Sequence, residues 1–187
     1  MTQLTLHPLL AYSQHELVPG LCTALMWDMR DPPTAARPTS APHLTLSAHE
    51  LAEPATAPPM PSLRIMCGVF PQSPDPASGT DWTMEVRATS SSAGLTLGDV
   101  LGAVYEGLAV PLVHAEWDAL CEKQQKRIGE VFDRRWREAA DPAGVRARGV
   151  IRADCLLFHT LFGGLAMSFE TSRSCVLIVR RPPPVRN

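Results

Sequence analysis

Proline sets the first limit on how this chain can fold. Eighteen prolines stand in 187 residues, most of them clustered at 32–61, 71–76 and 182–184. Proline has no backbone N–H and a fixed φ, so such clusters neither continue a helix nor lie in a central strand. Regular structure must therefore come from the stretches between them. Hydrophobic residues make up 45% of the chain, enough for a core, and charged residues only 19%. The length suits one domain, residues 1–187, with a proline-rich loop at 30–62 and a frayed basic tail at 181–187.

The stretches free of proline read as follows. Residues 21–29 (LCTALMWDM) are a short apolar run that suits a strand. After the loop, Ser47 and Glu50 have capping-box spacing, and Pro54 limits the helix they start to a turn or two. Residues 55–61 read as extended, because residues before proline avoid the α region. Residues 63–70 (LRIMCGVF) and 82–88 (WTMEVRA) read as an antiparallel hairpin with a long, turn-rich connection at 71–81. In the second of these, Trp82, Met84 and Val86 alternate with Thr83, Glu85 and Arg87, the mark of a strand with one solvated face.

A small-residue linker at 90–94 leads to Thr96, which caps a helix with Asp99 in its first turn. Leu97, Val100, Leu101, Val104 and Leu108 line one face of it. A longer helix is expected over 113–139, with Val113, Trp117, Leu120, Cys121, Ile128, Val131 and Phe132 at spacings of three and four. Residues 149–157 and 175–180 read as two more strands, and the second (CVLIVR) is β-branched enough to be central. Gly163 and Gly164 read as a turn or bulge. The expected fold is α+β: a mixed or largely antiparallel sheet of about five strands, with two main helices packed on one face.

Several chemistries find no motif. There is no GxxxxGK[ST], no GxGxxG and no HExxH, so neither a phosphate loop nor a metal or other cofactor is indicated. His159 and Cys155 are four apart, but in a strand that places them about 13 Å apart. The cysteines (Cys22, Cys67, Cys121, Cys155 and Cys175) are odd in number and form no CxxC pair. They read as free, mostly buried thiols, and so as a cytoplasmic or nuclear protein. The N-terminus lacks the basic and apolar regions of a signal peptide, and no run is long enough to span a membrane. A formal net charge of −2 gives no field to recruit nucleic acid. Residues 121–152 are locally basic, with nine lysines and arginines against five acids. Arg134, Arg135, Arg137, Arg146 and Arg148 gather near a helix C-terminus, where a solvated face is the simplest account.

The anomalies are charges within apolar runs: Asp28 after Trp27, and Arg152 and Asp154 within RADCLLFHTLFGGL, which also holds His159. Charge is costly to bury unless it is paired. In a strand Arg152 and Asp154 share one face, and Asp28 is a candidate third member. Three readings follow. The first is an interaction module that binds a protein partner through its proline-rich loops and basic helix end. The second is a small cofactor-free enzyme or a binder of a small apolar molecule. Its pocket would lie between the sheet and the proline-rich crossing. Trp27, Trp82 and Met66 would line it, with Asp28, Arg152, Asp154 and His159 as its polar groups. The third and least favoured is a nucleic-acid accessory domain using the arginines near 134–148.

Five phrases taken together carry a resemblance: LHPLL at 6–10, LMWDM at 25–29, EPATAPP at 53–59, TLGDVLGAVYEGL at 96–108, and residues 152–165. They resemble an uncharacterised domain family expanded in basidiomycete fungi and carrying no assigned function. Arg152, Asp154, Leu156, Phe162, Gly164 and Leu165 match the ending of its pattern. Thr160-Leu161 and the glycine pair depart from it. The resemblance implies a fungal, intracellular, single-domain protein and brings no reaction with it.

Overall fold

The computed structural model describes residues 4–13, 23–68, 82–89, 94–168 and 173–182. Cys22, His15, the connection at 71–81, most of the linker at 90–94 and the tail from 183 lie outside them.

The main sheet has four strands among the described residues: β5 (Ser62–Cys67), β6 (Thr83–Arg87), β7 (Leu161–Met167) and β8 (Ser174–Arg180). Their order is β6-β5-β8-β7. The β5–β6 hairpin is antiparallel as its alternation required, with Leu63 opposite Val86 and Ile65 opposite Met84. β8 is central, parallel to β5 and antiparallel to β7, so the sheet is mixed. The α+β class stands, but the sheet is smaller than the expected five strands.

The proline-rich region is more ordered than a loop. β1 (Thr5–Leu6) pairs with β4 (Thr56–Ala57), and β2 (Leu25–Met26) pairs with β3 (Arg37–Pro38). Both are two-stranded ribbons outside the main sheet, where proline is tolerated. Over residues 23–29, the described part of the strand expected at 21–29, there are only β2 and a single bridge from Asp28 to Leu161. The N-terminal segment and residues 27–29 lie along the outer edge of β7. There Tyr12 N–H donates to Leu165 C=O, and Phe162 N–H donates to Trp27 C=O. These contacts cover an edge that would otherwise be left open.

α1 (Ala48–Leu51) is one turn, held by the Ser47–Glu50 capping box. α2 (Leu97–Leu108) has the Thr96–Asp99 box and buries all five apolar residues of its expected face. It packs on β6. Gly107 allows the approach, since a Cβ there would meet Met84 Cγ at 2.5 Å.

The long helix expected over 113–139 is in fact two, and a third follows it. α3 (His114–Asp118) and α4 (Glu122–Glu138) are separated where Leu120 turns into the core and Gln124 Oε1 caps the Cys121 N–H. α5 (Pro142–Arg148) then starts at Asp141, whose carboxylate accepts from Gly144 N–H. α4 buries only Ile128 and rests on α5 and on residues 152–156, not on the sheet beside α2. Val113 and Cys121 are exposed, and Trp117, Val131 and Phe132 are half-buried.

The expected strand at 149–157 is a 3-10 helix, Arg152–Leu156. The residues read as a glycine turn are the strand β7. Its register shifts between Phe162 and Gly164, so the bulge alternative holds. Gly164 has φ +106, and a Cβ on it would lie 2.7 Å from the Tyr12 backbone. Among the described residues no helix is long and apolar enough to cross a membrane.

Gly164→Ala is expected to destabilise the fold by roughly 3 kcal/mol, through strain and displacement of the N-terminal segment. Gly102 lies in α2 with open space around it, so Gly102→Ala should stabilise by about 0.5–1 kcal/mol. Urea denaturation of the two variants checks both signs.

Candidate functional site

The 3-10 helix separates the charges that a strand would have aligned. Asp154 turns towards α4. Its Oδ1 accepts from Arg135 Nε at 2.7 Å, and its Oδ2 accepts from Arg135 Nη2 at 2.8 Å and from Ile151 N–H at 2.9 Å. The carboxylate is 2% exposed. Arg135 Nη2 also donates to Gly149 C=O, at the end of α5. One bidentate pair thus joins α4, α5 and the 3-10 helix.

Arg152 points elsewhere, to Glu116 of α3. Glu116 is 3% exposed and fully engaged. Its Oε1 accepts from Arg152 Nη2 and Trp82 Nε1, both at 2.9 Å, and its Oε2 accepts from Val113 N–H at 2.9 Å. The Arg152 guanidinium also stacks 5.2 Å from the centroid of the Trp82 ring.

Asp28 makes a third, separate centre. It accepts from the Arg30 side chain at 3.0 and 2.7 Å, from Arg30 N–H, and from Thr160 Oγ1 at 3.1 Å. Partial burial pushes its carboxyl pKa up, but the Arg30 hydrogen bonds outweigh burial and hold it below the usual aspartate range. Asp28, Arg152 and Asp154 are therefore not one network. Each has its own partner, and two of those partners, Arg135 and Glu116, are residues that sequence spacing did not single out.

The aromatic candidates are core. Trp27 is 3% exposed, packs on Phe162 with centroids 5.9 Å apart and donates from Nε1 to Asp31 C=O. Trp82 is 4% exposed, and Met66 is half-buried on β5. Cys155 and Cys175 do not suit nucleophilic work, whereas Cys121 is exposed. Burial pushes the Cys155 thiol well above its ordinary range and Cys175 up to about 12. No group of metal-ligating side chains occurs among the described residues.

A concavity runs along α4. One cavity of about 490 Å³ lies between α4 and the turn at 157–160, with Arg30, Arg134, Asp154, Leu157, Phe158 and Thr160 on its walls. A second, of about 260 Å³, continues past Phe158 and is lined by Arg127, Glu130, Val131, Arg134, His159 and Arg181. Arg134 and Phe158 belong to both. Of the sequence candidates, Asp154 and His159 line this groove. Asp28 reaches it through Arg30 and Thr160, and Arg152 faces away.

The floor of the groove is strained. Leu157 has φ 55 and ψ −105, a conformation that favours glycine, and His159 N–H donates to Leu156 C=O to close the turn. The turn lifts Phe158 into solvent, 57% exposed. A sequence profile covering residues 25–175 matches the whole of this arrangement except Arg181. The chain belongs to the family of unknown function DUF6699. No curated protein and no solved structure matches the chain. The DUF6699 match thus spans β5, β6, β7, the helices and the strained turn, reaches only the start of β8, and carries no activity with it.

Asp154→Asn should cost about 3 kcal/mol, because it leaves Arg135 facing a neutral amide in a largely buried site. Urea midpoints measure this. Asp28→Asn should behave differently with pH. The lowered carboxyl stabilises the fold above the unfolded aspartate value of about 4. That contribution disappears as pH falls through the folded value. The melting-temperature gap between wild type and Asp28→Asn should therefore be largest near neutrality and close in acid.

Proposed function

We propose that this chain is an interaction module that holds a segment of a partner protein in the groove between α4 and residues 157–160. The observation that carries the reading is Phe158. A large aromatic ring is held in water by a turn whose first central residue is a strained leucine. A glycine at 157 would relieve about 1–3 kcal/mol of backbone strain. Strain held beside an exposed ring in a concave surface fits a binding role better than a packing one.

A small-molecule site is the second reading, and the 490 Å³ cavity is of suitable size. Neither Asp154 in its wall nor Asp28 behind it supports a hydrolytic or proton-abstracting role, while Asp31 and Glu138 also line the cavity. Asp154 is held by Arg135, and Asp28 by Arg30 and Thr160. Neither offers a free base in this arrangement. A fungal origin and a cytoplasmic or nuclear setting complete the proposal. They rest on the resemblance of the sequence phrases and on the unpaired thiols.

The test is site-specific photocrosslinking in cell extract, with a benzophenone side chain placed at Phe158 or at Leu44, an equally exposed position outside the groove. A partner crosslinked from Phe158 and absent from Leu44 supports the reading. Phe158→Ser should abolish that crosslink's non-covalent counterpart in pull-downs while changing stability by less than about 0.5 kcal/mol. Equal labelling from both positions, or a collapse of the fold in Phe158→Ser, would assign the ring to structure.

A further inference from the structure

The charges around the groove are unevenly placed. At the Phe158–Arg181 end, Arg127, Arg134 and Arg181 face a single carboxylate, Glu130. At the other end Arg30, Arg134 and Arg135 are balanced by Asp31, Glu138 and Asp154. The arginines also differ in what they already hold. Arg30 and Arg135 are committed to Asp28 and Asp154. Among the described residues Arg127 and Arg134 have no hydrogen-bond or ion-pair partner.

Arg181 is held at one nitrogen only. Its Nε donates to His159 Nε2 at 3.0 Å. Arginine has only donors, so His159 Nε2 is the acceptor in this contact. The contact aims Arg181 along the groove and leaves its terminal nitrogens without a described acceptor. Three guanidinium forks, each suited to a carboxylate, thus border an apolar floor of Val131, Leu157 and Phe158.

We propose, on the strength of the reading above, that the occupant is an acidic peptide segment. An aspartate or glutamate would sit among Arg127, Arg134 and Arg181, and a neighbouring bulky apolar residue would pack on Phe158. Arg127 to Glu138 spans about 16 Å of helix, room for about five extended residues. With Glu130 among them the three arginines leave a net charge of +2 at this end, which attracts any anion, and the apolar floor beside it favours a carboxylate carried next to a bulky side chain. The balanced far end asks for no net charge, so the acidic residue belongs at one end of the motif.

The experiment is selection of a random peptide phage library on the immobilised full chain, counter-selected against Phe158→Ser. Expected are peptides pairing Asp or Glu with Leu, Ile, Phe or Trp. A synthetic member of the selected set should lose roughly tenfold or more in affinity with Arg134→Glu or Arg127→Glu. It should be unaffected by Arg148→Glu, an exposed arginine outside the groove. Binding should weaken above about 0.15 M salt. Peptides enriched with no acidic preference, or indifferent to Arg134→Glu, overturn the acidic assignment and leave the groove reading standing. Preference for the phosphoserine version of a selected peptide, or displacement by a single-stranded oligonucleotide, overturns it in favour of phosphate. No peptide enriched over the Phe158→Ser control overturns both.

Discussion

The Asp154 carboxylate is the point on which the helical half of the molecule is fixed. It is almost fully buried, accepts two bonds from Arg135 and caps the N–H of Ile151. A buried ion pair adds little net stability, since desolvation offsets most of the attraction. Its effect is geometric. α4 buries only one residue outright, so apolar packing alone leaves it free to slide or roll. The fork of Arg135 sets its register against the 3-10 helix, and that register brings Arg134, one residue away, to the groove. Glu116 does the same for α3, through Trp82 and Arg152.

Legibility in the sequence follows the kind of information each element uses. α2 and the β5–β6 hairpin are set by local periodicity and by side-chain caps within four residues, and both are readable. The segment 152–165 is not. An apolar run without periodicity fits a strand and a buried helical turn equally well. What decides here is a leucine in a glycine-like conformation, which no residue type announces. The break between α3 and α4 was hidden for a related reason. Leu120 and Cys121 keep the helical spacing, while the chain redirects one into the core and leaves the other in solvent.

The candidate site was half visible. The sequence marks Asp28, Arg152, Asp154 and His159 as out of place among apolar neighbours, and each does prove to be held by a specific partner. Their partners were not visible, because Arg135 looks like any solvated helix arginine and Glu116 like any helix acid. Pairing across elements is a tertiary fact. The surface proposed to bind, Arg127, Arg134, Phe158 and Arg181, stands out by exposure, which sequence does not display.

The parallel pairing of β5 with β8, Arg64 beside Ser174 and Cys67 beside Leu177, has a consequence for how the protein is made. On the ribosome the β5–β6 hairpin emerges before β8, and its inner edge then waits while α2 to α5 are synthesised. Only when β8 appears can the sheet close, and contacts this distant in sequence are slow to form. The nascent chain therefore carries an open, apolar strand edge until β8 has been made. Such an edge is what general chaperones hold and what aggregation recruits, so the yield of folded protein should depend on chaperone supply during translation more than on the stability of the finished fold.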